Sequence, residues 1–206
     1  ALKHTVHLDK VKAEQFVLPI GKKKTHVIGI NPSQITTEDL AVSLQPAANY
    51  VPTDGYSKVA AVERHHNTGK IGVAVAKGYG IRNGAVASSV SHDSHNIIVI
   101  GDNDRDMALA VDEIIRTQGG YTVVENGEVF ETLPLPIMGL MSDAGFESVN
   151  ETLGRMIKKA HEMGVPADIE PFITLSFLAL PVIPALRITP RGLCLLTAKG
   201  PEILQE

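Results

Sequence analysis

The sequence predicts a domain of class α+β or α/β, a mixed β-sheet with flanking helices, on three observations. Short apolar runs of strand composition recur between residues 4 and 131, two segments beyond residue 100 carry helical periodicity, and no unit repeats at a fixed spacing. In order, "HTVHL" (4–8), "QFVLPI" (15–20) and "THVIGI" (25–30) read as two or three short strands, with "LPIGKKK" supplying a turn. "NPSQITTEDLAVSL" (31–44) opens with turn chemistry and continues as a β-rich run. The segment "QPAANYVPTDGYS" (45–57), with two prolines and a glycine, is the best linker, which divides the chain into a β-rich segment, 1–50, and a second domain, 51–206.

Beyond it, "KVAAVERH" and "KIGVAVA" read as strands around the loop "HHNTG", and "GYGIRNG" (78–84) is a glycine-rich connection. "AVASSV" fits a strand or a helix, whereas "NIIVIG" (96–101) is a continuous apolar strand of the kind buried on both faces. "DNDRDMALAVDEIIRTQGG" has polar capping candidates, acids in its first turn, terminal glycines and a stripe of Met107, Val111, Ile114 and Ile115, so it predicts a helix. Asn126-Gly127 marks a hairpin turn within "YTVVENGEVFE". A second helix is predicted over 147–164, with Val149, Leu153, Met156, Ile157 and Ala160 on one face and Gly164 as its stop. The tail is apolar and punctuated by proline. Its run "FITLSFLALPVIPAL" (172–186) is short for a membrane span and broken by Pro181 and Pro184, so it reads as buried core.

Composition narrows the partners. A net charge of −4 and scattered lysines and arginines leave no basic footprint for nucleic acid, and aromatics at 4% leave few platforms for stacking bases. With one cysteine, Cys194, there is neither an intramolecular disulfide nor a multi-cysteine zinc site, which fits a cytoplasmic setting; among its apolar neighbours the thiol reads as packed core. The chain starts "ALKHTVHL", without Met, and reads as a fragment or a processed product.

Two loops concentrate ionisable chemistry. "HDSHN" (92–96) holds His92 and His95 with Asp93 between them, a carboxylate that could orient an imidazole, and Asn96 beyond. "ERHHNTG" (63–69) holds Glu63, Arg64, His65 and His66 after a probable strand, where catalytic loops commonly sit. Each also reads as an ordinary polar loop beside a core strand. If the two strands are neighbours, the loops could meet. Other patterns fail on inspection. "DNDRDMALAVDE" (102–113) imitates a calcium loop but carries Met107 where the sharp turn needs glycine. "GYGIRNG" has its third glycine one place late for a dinucleotide loop, and neither a P-loop, a G-x-S-x-G elbow nor the H-x-E with P-C-x-x-C pattern of zinc nucleobase deaminases occurs. The residues alone support a possible two-loop histidine site and specify no reaction.

Several stretches together resemble one family. "THVIGINPSQITTEDL", the run "VAAVERHHNTGKIGVAVAKGYGIRNGAVASSVSHDSHNIIVIGDNDRDMALAV", "LPLPIMGLMSD" and "FITLSFLALPVIPALRIT" are similar to the C-terminal region of bacterial adenine deaminase, of the amidohydrolase superfamily, over nearly the whole chain. The resemblance implies an enzyme that hydrolyses adenine to hypoxanthine and ammonia with iron or manganese bound mainly in a (β/α)₈ barrel. The chain lacks the H-x-H pair of that barrel and is too short for eight βα units, so the barrel is expected upstream, outside this chain. The fragment alone is then expected to be inactive, with adenine, its own N-terminal barrel and further copies of itself as partners. His92, His95, Glu63 and His65 are the catalytic candidates, and Asp93 and Asn96 the substrate-binding ones, each without an assigned role. A purely structural or oligomerisation domain, or a separate metal module built from the two loops, remain the alternatives.

Overall fold

A computed structural model describes residues 2–53 and 55–204. Eight strands form one sheet: β1 (Thr25–Ile30), β2 (Thr37–Val42), β3 (Tyr56–Val62), β4 (Ile71–Lys77), β5 (Gly84–Ser88), β6 (Ile97–Gly101), β7 (Gly120–Glu125) and β8 (Glu128–Pro134). Their spatial order is β2-β1-β4-β3-β6-β5-β7-β8, antiparallel throughout except where β1 lies parallel to β4. The sheet is open, with β2 and β8 at its edges, so the described residues make an α+β fold and no (β/α)₈ barrel. Strands from both sides of the 45–57 segment contribute to this one sheet; residue 54 lies outside the described residues.

The central strands are apolar on both faces because both faces are covered. Along β3, Val59 and Ala61 enter one core while Ala60 and Val62 enter the other, and along β6, Ile98 and Ile100 alternate in the same way with Ile97 and Val99. One face packs on helix α1 (Asp104–Thr117), which buries Met107, Val111 and Ile114. Asn103 caps it by accepting the Asp106 amide at 2.8 Å, and Gln118 ends it in the left-handed conformation with φ 60°. The other face packs on α2 (Phe146–Glu162), on α3 (Pro171–Phe177) and on a three-stranded sheet of β9 (Leu186–Thr189), β10 (Gly192–Thr197) and β11 (Gly200–Ile203). The predicted stripe of α2, from Val149 to Ala160, faces that core. Gly72 of β4 meets the small sheet so closely that a Cβ there would lie 2.0 Å from the Thr189 carbonyl oxygen. Among the described residues no helix is long and apolar enough to cross a membrane.

Two expectations are corrected. "HTVHL" and "QFVLPI" are not strands: residues 13–16 form a 3₁₀ turn, and Ile20 makes only an isolated bridge to Ala47. The backbone of 4–12 is satisfied instead by side chains and loops, Val6 by Gln118, Val11 by Asp112 and His7 by the Arg64 carbonyl. The proline-punctuated tail, read as buried core with no element assigned, carries α3 and three short strands. "AVASSV" resolves as strand β5, flanked by β6 and β7.

Candidate functional site

The two histidine loops meet. Because β3 and β6 are antiparallel neighbours in register Val62↔Ile97, the loop leaving β3 and the loop entering β6 emerge at the same end of the sheet. His65 Nε2 stands 2.8 Å from the Ser94 carbonyl oxygen, and the Arg64 amide donates to Asn96 Oδ1 at 3.2 Å. All six sequence candidates thus fall in one corner, but the structure gives them different surroundings.

Glu63 is consumed by its own loop. One carboxylate oxygen accepts the amides of His65 at 2.5 Å and His66 at 3.0 Å, and the other accepts the amide and hydroxyl of Thr68 at 3.1 and 3.0 Å. Burial works against the charge, yet these four donors hold its carboxyl below the usual range. The loop takes its shape from that carboxylate, as an Asx-like turn would from a shorter acid.

His92 and His95 lie with ring centroids 6.0 Å apart, and the His92 ring also rests 4.7 Å from that of Phe177 on α3. The His92 side chain is 36% exposed, and its Nδ1 is 3.7 Å from Asp93, too far for a hydrogen bond. The loop is anchored to α3, where the His92 amide donates to the Ser176 carbonyl at 3.1 Å. His95 has a φ of 50° and a buried Nδ1 with no hydrogen-bond partner among the described residues. Burial first, then the neighbouring His92 and Arg64, push its pKa down against the pull of Asp93, so its imidazole is neutral near pH 7.

A hollow of about 280 Å³ opens beside this corner. Asp93, Ser94 and Asn96 supply its polar rim, and Ala61, Leu180 and Ile188 its apolar wall. Asn96, Pro181, Thr189 and Pro190 also line an adjoining hollow of about 440 Å³ that reaches Glu63. The histidines themselves stand beside these hollows and are not among the lining residues. Among the described residues no three His, Cys, Asp or Glu side chains come together to hold a metal ion, so a separate metal module has no ligand set here.

The residue that sequence reasoning left without a role is Arg64, which is 2% exposed and contacts three other chain segments. It lies within a noticed motif, but nothing in the sequence ties residue 64 to Thr5 or Met138. Gly139, which leaves space against the guanidinium, is the only trace.

A family model described as adenine deaminase C-terminal domain matches residues 34–199. The adenine deaminase of Desulfitobacterium hafniense (strain Y51) is 51% identical over 194 residues, covering 93% of this chain and 34% of that protein. That of Nitratidesulfovibrio vulgaris (strain DP4) is 48% identical over 196 residues, 94% of this chain and 34% of the relative. That of Listeria monocytogenes (serovar 1/2a) is 42% identical over 197 residues, 93% of this chain and 33% of the relative. The chain spans about a third of the length of the curated relatives it matches.

Proposed function

The chain belongs to the adenine deaminase C-terminal domain family, and from that premise we propose that it works as the C-terminal part of an adenine deaminase in purine metabolism. The complete protein would hydrolyse adenine with one water to hypoxanthine and ammonia, in the cytoplasm and as a homo-oligomer. The corner of His65, His92 and His95 faces the reacting base. The observation that carries this reading is the meeting of the 63–67 and 92–96 loops beside a hollow whose polar rim is Asp93, Ser94 and Asn96.

Deamination at C6 needs an activated water, a proton for the ring nitrogen and a proton for the departing amine. The partly exposed imidazole of His92 moves one of these protons. His95, held neutral, offers its unpaired Nδ1 as an acceptor or donor within the same corner. Asp93 and Asn96 contact the edge of the base from the rim of the hollow. A manganese or iron ion would activate the water by lowering its pKa. Among the described residues no three His, Cys, Asp or Glu side chains come together, which supports placing such an ion in the expected barrel outside this chain, with the fragment alone expected to be inactive.

Replacing His92 with Ala in the complete deaminase should lower kcat by about 10²-fold or more, the scale of losing an acid/base group. Steady-state adenine hydrolysis reads this directly, and near-wild-type turnover would reject the assignment. A second reading draws on Glu63, whose carboxylate is saturated by its own loop: the corner then serves packing and subunit assembly alone. On that reading the His92 variant keeps its kinetics and changes only melting temperature or oligomeric state.

A further inference from the structure

We propose that Arg64 is the positioning residue of this corner, its guanidinium clamping the backbone of His95 to the 2–7 segment and the 137–141 turn and so fixing where the His95 imidazole stands beside His92. The inference rests on reading the corner as part of a deaminase site and adds the residue that organises it.

The geometry is that of a clamp. Arg64 Nε donates to the His95 carbonyl oxygen. Nη1 donates to the carbonyl and hydroxyl of Thr5 at 3.2 and 3.3 Å, and Nη2 to the Met138 carbonyl at 3.0 Å. The Arg64 amide meets Asn96 Oδ1, and its carbonyl accepts the His7 amide at 2.7 Å. One residue therefore joins the end of β3, the loop entering β6, the N-terminal segment and the turn after β8. Room for the guanidinium comes from Gly139: a Cβ there would stand 2.7 Å from Nη1, and its φ of +72° favours glycine in any case. His95, itself at a φ of 50°, is held from both sides, its amide donating to the Ser91 carbonyl at 2.7 Å and its carbonyl accepting from Arg64.

The clamp also has an electrical side. Buried arginines are normally paired with carboxylates. Among the described residues every acceptor of this guanidinium is a carbonyl or a hydroxyl, and no carboxylate pairs with it. The charged and titratable groups facing His95 are His92, Arg64, Asp93 and His65, and Arg64 is the permanent cation among them. Lysine is no substitute, because an ammonium is a point donor and cannot span the three separate residues that the planar fork reaches.

The test is an NMR titration of the histidine ring signals in this chain, wild type against Arg64→Met and Arg64→Lys. In Arg64→Met the midpoint of His95 should rise and its ring contact with His92 weaken, while the ring signals of His26, paired with Asp39 on β1 and β2, match those of the wild type. Arg64→Lys should retain more of the charge effect yet still lose the ring contact. A folded Arg64→Met protein with His95 midpoint and contact unchanged would overturn the proposal. Should Arg64→Met fail to fold, Gly139→Ala displaces the guanidinium without removing it and should shift the signals of His95 but not of His26; unshifted His95 signals there overturn the proposal equally. In the complete deaminase, Arg64→Lys should lower kcat on the order of 10²-fold with KM nearly unchanged, the cost of misplacing a reacting group by about an ångström. If His92→Ala and His95→Ala leave turnover intact while the titration behaves as described, the clamp stands and the catalytic reading of the corner falls.

Discussion

Glu63, a catalytic candidate in the sequence, spends its hydrogen bonds on its own loop. Its two oxygens receive four donors from residues 65 to 68, so the carboxylate has little left to offer a substrate. A carboxyl held below its ordinary value near 4.5 adds stability above that pH and loses it as the pH falls through the folded value. Melting temperature should therefore decline with acid below about pH 4.5 more steeply in the wild type than in Glu63→Gln, which has no charge to lose. Equal slopes would mean that the loop does not depend on the ionised form. At this scale the sequence was legible in what it concentrated: "ERHHNTG" and "HDSHN" contain the whole corner. It was silent on division of labour. Nothing about a Glu beside an Arg says that the acid closes a turn while the base spans to residues 5 and 138, because those partners are fixed only by the tertiary course of the chain.

At the scale of elements, local signals were reliable where local physics decides. Asn126 and Gly127 take φ of 52° and 81° at the β7–β8 turn, the left-handed pair that the dipeptide announces. Both helices turn the stripes their spacing implies toward the core, fully burying part of each. Where a neighbour decides, the same signals failed. "HTVHL" and "QFVLPI" have strand composition but no strand beside them, so their amides went to side chains and loops. The short strands β9 to β11, of four to six residues, are too brief and too interrupted for periodicity to register. They cover the large sheet, and Gly72 is one point where the two sheets approach closely. Gly72→Ala would push its methyl into the backbone of Thr189 and Gly192, an overpacking that should cost about 1–3 kcal/mol in a urea denaturation. A change within error would place the small sheet farther from β4 than this packing does.

For the whole molecule, the class of fold follows from the mixture of short strands and two helices, and the doubly buried character of "NIIVIG" was visible as an unbroken apolar run. The order of the strands was not. Inserting β1 parallel to β4, with β2 outside it, leaves no mark on hydrophobic pattern, since the central strands are covered on both faces whichever strand comes next. That double covering has a consequence for motion. Strands β3, β5 and β6 lie at the middle of the sheet with solvent excluded above and below, so their amides can exchange with deuterium only through the largest openings of the structure. Native-state hydrogen exchange should find them the slowest amides, well behind the edge strands β2 and β8, and comparable rates across the sheet would contradict this order. The histidine loops are rooted in β3 and β6, the last part of the protein to breathe. If that order of exchange holds, any motion at this corner falls to the tips of the two loops, because the strands beneath them open last.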